Sequence, residues 1–144
     1  MSAKENAEVM LEIFKAIERR DPERLQELWD PDVEFHWPPS LPYGGASRRP
    51  RDERPSWIQT WMPLQPTEAE RRMDARIVAA TEDEVVVLWR QRGVSPTGAR
   101  FDGPVLALYR LRDGKLARAQ MFYFDTTALA GFLAYASGEV ATPN

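Results

Sequence analysis

Polar and apolar positions alternate with two different periods along this chain, and the change of period marks out its elements. Ala7, Met10, Phe14 and Ile17 recur at the spacing of one helical face, behind a Ser2–Glu5 capping box, and predict a first helix running to about Arg20. Asp21-Pro22 pairs an N-cap residue with proline at the first helical position, which restarts a short helix whose buried stripe is Leu25, Leu28 and Trp29. Asp30-Pro31 stops it, because the residue before proline is pushed out of the helical region. Val33–Trp37 then alternates as a strand and ends at Pro38-Pro39.

From Ser40 to Arg54 the chain is rich in proline, glycine and arginine and reads as a long loop. Arg48, Arg49, Arg51 and Arg54 offer an anion a positive surface, but Asp52 and Glu53 dilute it, and a solvated loop is the better reading. Ser56 to Met62 predicts a third helix burying Trp57, Ile58, Trp61 and Met62. Strands follow at Met73–Ala80, Val85–Arg92 and Val105–Arg112, the last joined through the Asp113-Gly114 hairpin turn to a final strand. In that strand Ala119, Met121, Tyr123 and Asp125 share one face, and Arg118, Gln120, Phe122 and Phe124 the other. The helical period returns at Leu129, Phe132 and Leu133. Helices, a strand, a helix and then four strands predict one α+β domain over residues 1–144, its helices gathered on one face of a mostly antiparallel sheet.

Composition narrows the chemistry. Hydrophobic residues make up 43% and charged residues 28%, as in an ordinary globular domain. A net charge of −3 gives no electrostatic footprint for nucleic acid. Without cysteine and with a single histidine, thiolate and multi-histidine metal sites are excluded, and no motif supports a carboxylate-only site. No apolar run approaches membrane-spanning length and the amino end does not read as a secretory signal, so a soluble cytoplasmic protein is expected.

The order of elements, with the phrases FKAIERRDPERLQELWDPDVEFHWPP, PYGG, SPTGARFDG and RDGKLARAQMFYFDTTAL, resembles the nuclear-transport-factor-two-like superfamily. Within it the chain is most similar to the SnoaL-like branch, which includes polyketide cyclases, limonene epoxide hydrolase and ketosteroid isomerase. The resemblance implies a cystatin-like α+β roll, in which a strongly curved, mostly antiparallel sheet wraps a long first helix as a cone with an apolar pocket. It also implies a homodimer formed through the outer face of the sheet. Asp125 falls where SnoaL-like cyclases keep an acid/base aspartate. The arginine and aspartate that complete the epoxide hydrolase site fall near Leu88 and Arg90, the cyclase histidine is replaced by Ala107, and the isomerase's tyrosine and base fall near Phe14 and Trp37. Steroid isomerisation and standard epoxide hydrolysis are therefore disfavoured.

What remains is an expectation of cofactor-independent acid/base chemistry, aldol cyclisation or enolisation, on a hydrophobic carbonyl compound. Asp125 would be the general acid/base, with Tyr123 or Tyr109 donating to a developing oxyanion. An apolar pocket would raise the Asp125 pKa, whereas an inward Arg90 would hold it ionised. An N-cap for the last helix is the plainer role for Asp125, and the two are compatible. His36, the one side chain that ordinarily titrates near neutrality, is a further catalytic candidate, although hydrophobic alternation sends Val33, Phe35 and Trp37 inward and His36 out. Phe14, Trp37, Trp57, Trp61 and Met121 would wall the pocket, with Tyr43 at its mouth. Two alternatives stand beside this: a non-catalytic domain that binds a hydrophobic small molecule, and a variant epoxide hydrolase using Arg90 with Asp125.

Overall fold

The computed structural model describes residues 2–48 and 56–138. Helix α1 spans Ala3–Glu18. It opens on the predicted capping box: Glu5 N donates to Ser2 Oγ (3.1 Å) and Ser2 N to Glu5 Oε1 (3.3 Å). Its inward stripe is Asn6, Met10, Ile13, Phe14 and Ala16. The buried Asn6 amide donates to the backbone carbonyls of Thr81 (3.2 Å) and Glu82 (2.8 Å), fastening α1 to the turn between two strands. At its other end the Arg20 amide donates to Ile17 O (3.1 Å) and the Asp21 amide to Ala16 O (2.9 Å). That is a Schellman closure, and it places Arg20 at φ 58°, where glycine is the usual occupant. Asp21 then caps α2 (Pro22–Leu28) by accepting from Arg24 N at 3.1 Å.

Strand β1 covers Trp29–Trp37, so it begins on the residue that sequence periodicity placed at the end of α2. Trp29 already pairs with Leu116, and the register slips between Trp29 and Glu34, which is where Pro31 is tolerated in a strand. Inside the predicted loop the chain forms β2 (Gly45–Arg48), an edge strand paired with β1. Gly44, just before it, leaves no room for a Cβ, which would collide with the backbone of Pro38 and Leu41. Arg49, Arg51 and Arg54 of the predicted arginine cluster lie outside the described residues.

Helix α3 (Ser56–Trp61) passes into a short 3₁₀ turn, Met62–Leu64. Helix α4 (Glu68–Arg71) follows, capped by a Thr67–Glu70 box that the sequence carries openly as Thr-Glu-Ala-Glu. Strands β3 (Arg76–Ala80), β4 (Glu84–Val94), β5 (Arg100–Arg112) and β6 (Lys115–Tyr123) complete the sheet, and α5 (Thr126–Ala136) closes the chain. The six strands run in the order β2-β1-β6-β5-β4-β3, antiparallel throughout except where β1 lies parallel to β6.

Parity along each strand decides which side chains face α1. Val85, Val87, Trp89 and Gln91 of β4 are buried, as are Val105, Ala107, Tyr109 and Leu111 of β5. Ala119, Met121 and Tyr123 of β6 and Val33, Phe35 and Trp37 of β1 join them. Residues from β1, β4, β5 and β6 meet one space together with four residues of α1, which a flat sheet could not arrange, so the sheet curls over the helix. Burying Met10 and Phe14 to 2% exposure or less stabilises this packing by about 1.5–3 kcal/mol each. Among the described residues no helix is long and apolar enough to cross a membrane.

Candidate functional site

Between α1 and the concave face of the sheet lies a cavity with about 50 Å³ open to the centres of water molecules. That admits roughly three or four waters, or one small ring system in their place. Its wall is built by the strand parities just described. On the β1 side Phe35 stacks on Trp37 (6.3 Å between ring centres, 12° between planes), and Trp57 from α3 packs against both at 6.1 and 5.7 Å. On the β4 side Phe14 meets Trp89 at 5.8 Å and the edge of Tyr109 at 6.0 Å. Trp61 closes the end near Gly93, where a Cβ would come within 2.7 Å of the indole. Met10, Ile13, Ile17, Met73, Leu116, Ala119 and Met121 fill the remaining wall.

Among the described residues Arg20, Gln65 and Gln91 interrupt this surface with polar side chains. Arg20 Nη2 donates to Gln65 Oε1 (3.1 Å), and Gln65 Nε2 donates to Arg92 O (2.9 Å), so the first two are tied to each other and to β4. Gln91 is 6% exposed on this wall. Trp57 Nε1 is buried without a partner among the described residues. Buried polar groups are normally paired, so unpaired ones on a cavity wall are places where a ligand can hydrogen-bond. Among the described residues neither a carboxylate nor a histidine lines the cavity.

The predicted site residues divide accordingly. Phe14, Trp37, Trp57, Trp61, Tyr109 and Met121 are all on the wall. Tyr43 and Tyr123 are buried beside it, joined to each other: Tyr43 Oη donates to Tyr123 Oη (2.9 Å) and accepts from Trp61 Nε1 (3.3 Å). Tyr43 therefore lies inside the fold, where it pins the Leu41–Gly44 turn, and is not the open-mouthed loop aromatic expected. Burial pushes the Tyr43 phenol up to about 12, and desolvation drives Tyr109 and Tyr123 up as well. All three are thus neutral hydrogen-bond donors at ordinary pH.

Asp125 is corrected most sharply. Strand β6 ends at Tyr123, and the Phe124 amide still bonds Pro104 O (3.3 Å), but the chain then turns away. Asp125 is exposed, and its Oδ1 accepts from Ala128 N (2.9 Å) as the N-cap of α5. The capping geometry overrides the parity that would have carried its carboxylate inward. Arg90 is likewise not a cavity residue: with Trp89 facing in, it faces out and pairs with Asp102 (2.7 Å). The two partners of the variant epoxide hydrolase are thereby separated. His36 lies on the outer face of β1 between Ala46 and Gln120, away from the cavity, with Nε2 buried and unpaired.

Sequence reasoning overlooked Gln91, Trp89 and Arg20. Gln91 had a readable signal, since it shares the parity of Val85, Val87 and Trp89 and is a polar residue on an otherwise apolar face. Arg20 had none beyond following a helix directly.

The fold recurs in solved structures. Bal32a from a soil-derived mobile gene cassette superposes with a TM-score of 0.74 at 18% identity, covering 91% of this chain and 98% of its own. TerC, co-crystallised with polyporic acid, gives 0.65 at 21% identity over 90% and 98% of the two chains. A candidate SnoaL-like polyketide cyclase from Jannaschia gives 0.68 at 19% identity over 98% and 95%. At such identities these likenesses speak for the fold alone. No curated protein sequence matches the chain. The family model for the SnoaL-like domain matches residues 10–119, and the chain belongs to that family, within the nuclear-transport-factor-two-like superfamily.

Proposed function

We propose that this domain binds a hydrophobic small molecule in the cavity between α1 and the sheet. The observation that carries the reading is the wall itself, aromatic on both sides, with Trp57 Nε1 buried and unpaired and, among the described residues, without a carboxylate or histidine. Mostly apolar, aromatic-lined cavities suit flat hydrophobic ligands, and the few polar groups on such walls fix orientation. Ala119 is the residue to test, because it is 1% exposed and lines the cavity from β6. Ala119→Leu fills the space. Titration of a panel of one- and two-ring aromatics by calorimetry should show binding to the native protein and none to this variant, with the thermal midpoint held. Binding that survives the filled cavity would place the ligand elsewhere and sink the proposal.

A second reading, cyclisation or enolisation of a carbonyl compound in the same cavity, is favoured by the candidate polyketide cyclases among the similar structures. With Asp125 committed to α5, the chain would contribute neutral donors, Tyr109 and Gln91, and no carboxylate base. Product formation from polyketide-like substrates by native protein, retained in Asp125→Asn, would support this version; absence of product leaves binding alone.

Two copies are further proposed to pair through the outer face of the sheet. Leu106 and Phe122 are cross-strand partners there, 43% and 52% exposed, and Phe124 beyond them is 85% exposed. Exposed apolar patches of this kind mark interaction surfaces. Light scattering should return a dimer mass, and Phe122→Lys a monomer.

A further inference from the structure

Helix α3 carries two indoles, Trp57 and Trp61, one turn apart, and their N–H groups are treated differently. Trp61 Nε1 donates to Tyr43 Oη at 3.3 Å. Trp57 Nε1 is buried and has no hydrogen-bond partner among the described residues. Trp57 as a whole is only half-buried, so its nitrogen edge is the part turned away from solvent. Phe35 at 6.1 Å and Trp37 at 5.7 Å pack against the ring and hold it in that orientation. A ring at the border with water that keeps its one polar atom inside forgoes a hydrogen bond it could make outside, and buried indole donors are seldom left so. Trp57 also lines the cavity.

Resting on the binding proposal above, we infer that Trp57 is the specificity-determining residue, and that the ligand is an aromatic compound whose uncharged acceptor, a ketone-type oxygen, seats on Trp57 Nε1. An indole N–H donates and cannot accept, so it answers an acceptor and offers nothing to an amine or hydroxyl proton. One neutral donor satisfies a carbonyl oxygen but falls far short of what a carboxylate loses on leaving water. Arg20, the cation of this wall, is already engaged by the side-chain and backbone oxygens of Gln65 at 3.1 and 3.4 Å. Among the described residues no carboxylate or histidine lines the cavity to receive an ammonium group. The stacked pair Phe35 and Trp37 would then support the ligand's ring while its acceptor end points to α3.

Acetophenone and isopropenylbenzene have nearly one shape and differ in a carbonyl oxygen against a methylene, and benzoate adds the charge. Each is titrated by calorimetry against the full chain at neutral pH, native and Trp57→Phe, which keeps an aromatic ring and removes the N–H. The ratio of acetophenone to isopropenylbenzene affinity should fall by roughly tenfold in the variant, or about 1.4 kcal/mol. The cost of drying each ligand cancels in that comparison. In nitrogen–proton NMR spectra of native protein, acetophenone should move the Trp57 indole resonance downfield and isopropenylbenzene should not, which decides the matter if Trp57→Phe fails to fold. Benzoate should bind more weakly than acetophenone. If acetophenone binds without that downfield shift, if the folded variant keeps the native ratio, or if benzoate binds the tighter, the assignment is overturned although the cavity still binds. If none of the three binds, the binding proposal falls with it.

Discussion

Changing Tyr43 to Phe removes one oxygen and should cost more than that suggests. The hydroxyl is buried and serves two neighbours, donating to Tyr123 Oη at 2.9 Å and accepting from Trp61 Nε1 at 3.3 Å. Phenylalanine keeps the ring, including its edge-on contact with Trp37 at 5.2 Å, so lost packing contributes little. What changes is that an indole N–H and a phenol oxygen lose their partner in a buried setting. Orphaning a buried group costs about 1–3 kcal/mol, so the variant should lose about 2–3 kcal/mol. For a chain of this length that is a fall of roughly 6–10 °C in thermal midpoint. Tyr123→Phe removes only the acceptor and should cost about 1 kcal/mol. Urea unfolding followed by far-ultraviolet circular dichroism would measure both, and the double variant with them. Because the two changes delete the same bond, the double variant should be no less stable than Tyr43→Phe alone. Costs that simply add would refute the shared hydrogen bond and, with it, the account of how the Leu41–Gly44 turn is pinned.

Other expectations follow from single contacts. Gly93→Ala would drive a methyl to within 2.7 Å of the Trp61 ring and should destabilise by about 1–3 kcal/mol, read as a lower urea midpoint. Asp125→Ala should cost about 1 kcal/mol through the lost cap and leave ligand affinity unchanged; a selective loss of affinity would return this carboxylate to the site. Folding holds the Tyr43 proton to about 12, against about 10 for an exposed tyrosine, so the folded state binds more protons in between. Stability should thus be flat with respect to tyrosine below pH 10 and fall from there to 12, by up to about 1.4 kcal/mol per pH unit for each buried phenol. Tyr109 and Tyr123, raised in the same direction, steepen the decline, and an alkaline unfolding series should show it.

How much of this was legible in the residues depended on whether one local rule acted or two competed. The alternation of Val105–Arg112 has one explanation, a half-buried strand, and the structure buries Val105, Ala107, Tyr109 and Leu111 on one face; for Val85–Arg92 the same rule was available, but the face of Arg90 was left open. The same alternation sent His36 out and Trp37 in. At Asp125 strand parity and helix capping pulled in opposite directions, and the cap prevailed because the chain must satisfy the first amides of α5 wherever parity alone would send the carboxylate. The pairing of β1 with β6 joins segments some eighty residues apart in parallel, and nothing local encodes it. Arg20 was invisible for another reason: its role depends on a backbone closure that arginine does not advertise.

The chain has five tryptophans, and Trp29, Trp37, Trp57, Trp61 and Trp89 all stand on the wall of the cavity. Its entire indole emission therefore arises from the lining of one hollow, with no surface tryptophan to dilute the signal. Any molecule entering that space would change the colour or intensity of the protein's own fluorescence. The domain thus comes with a built-in optical reporter for the occupancy of its proposed site.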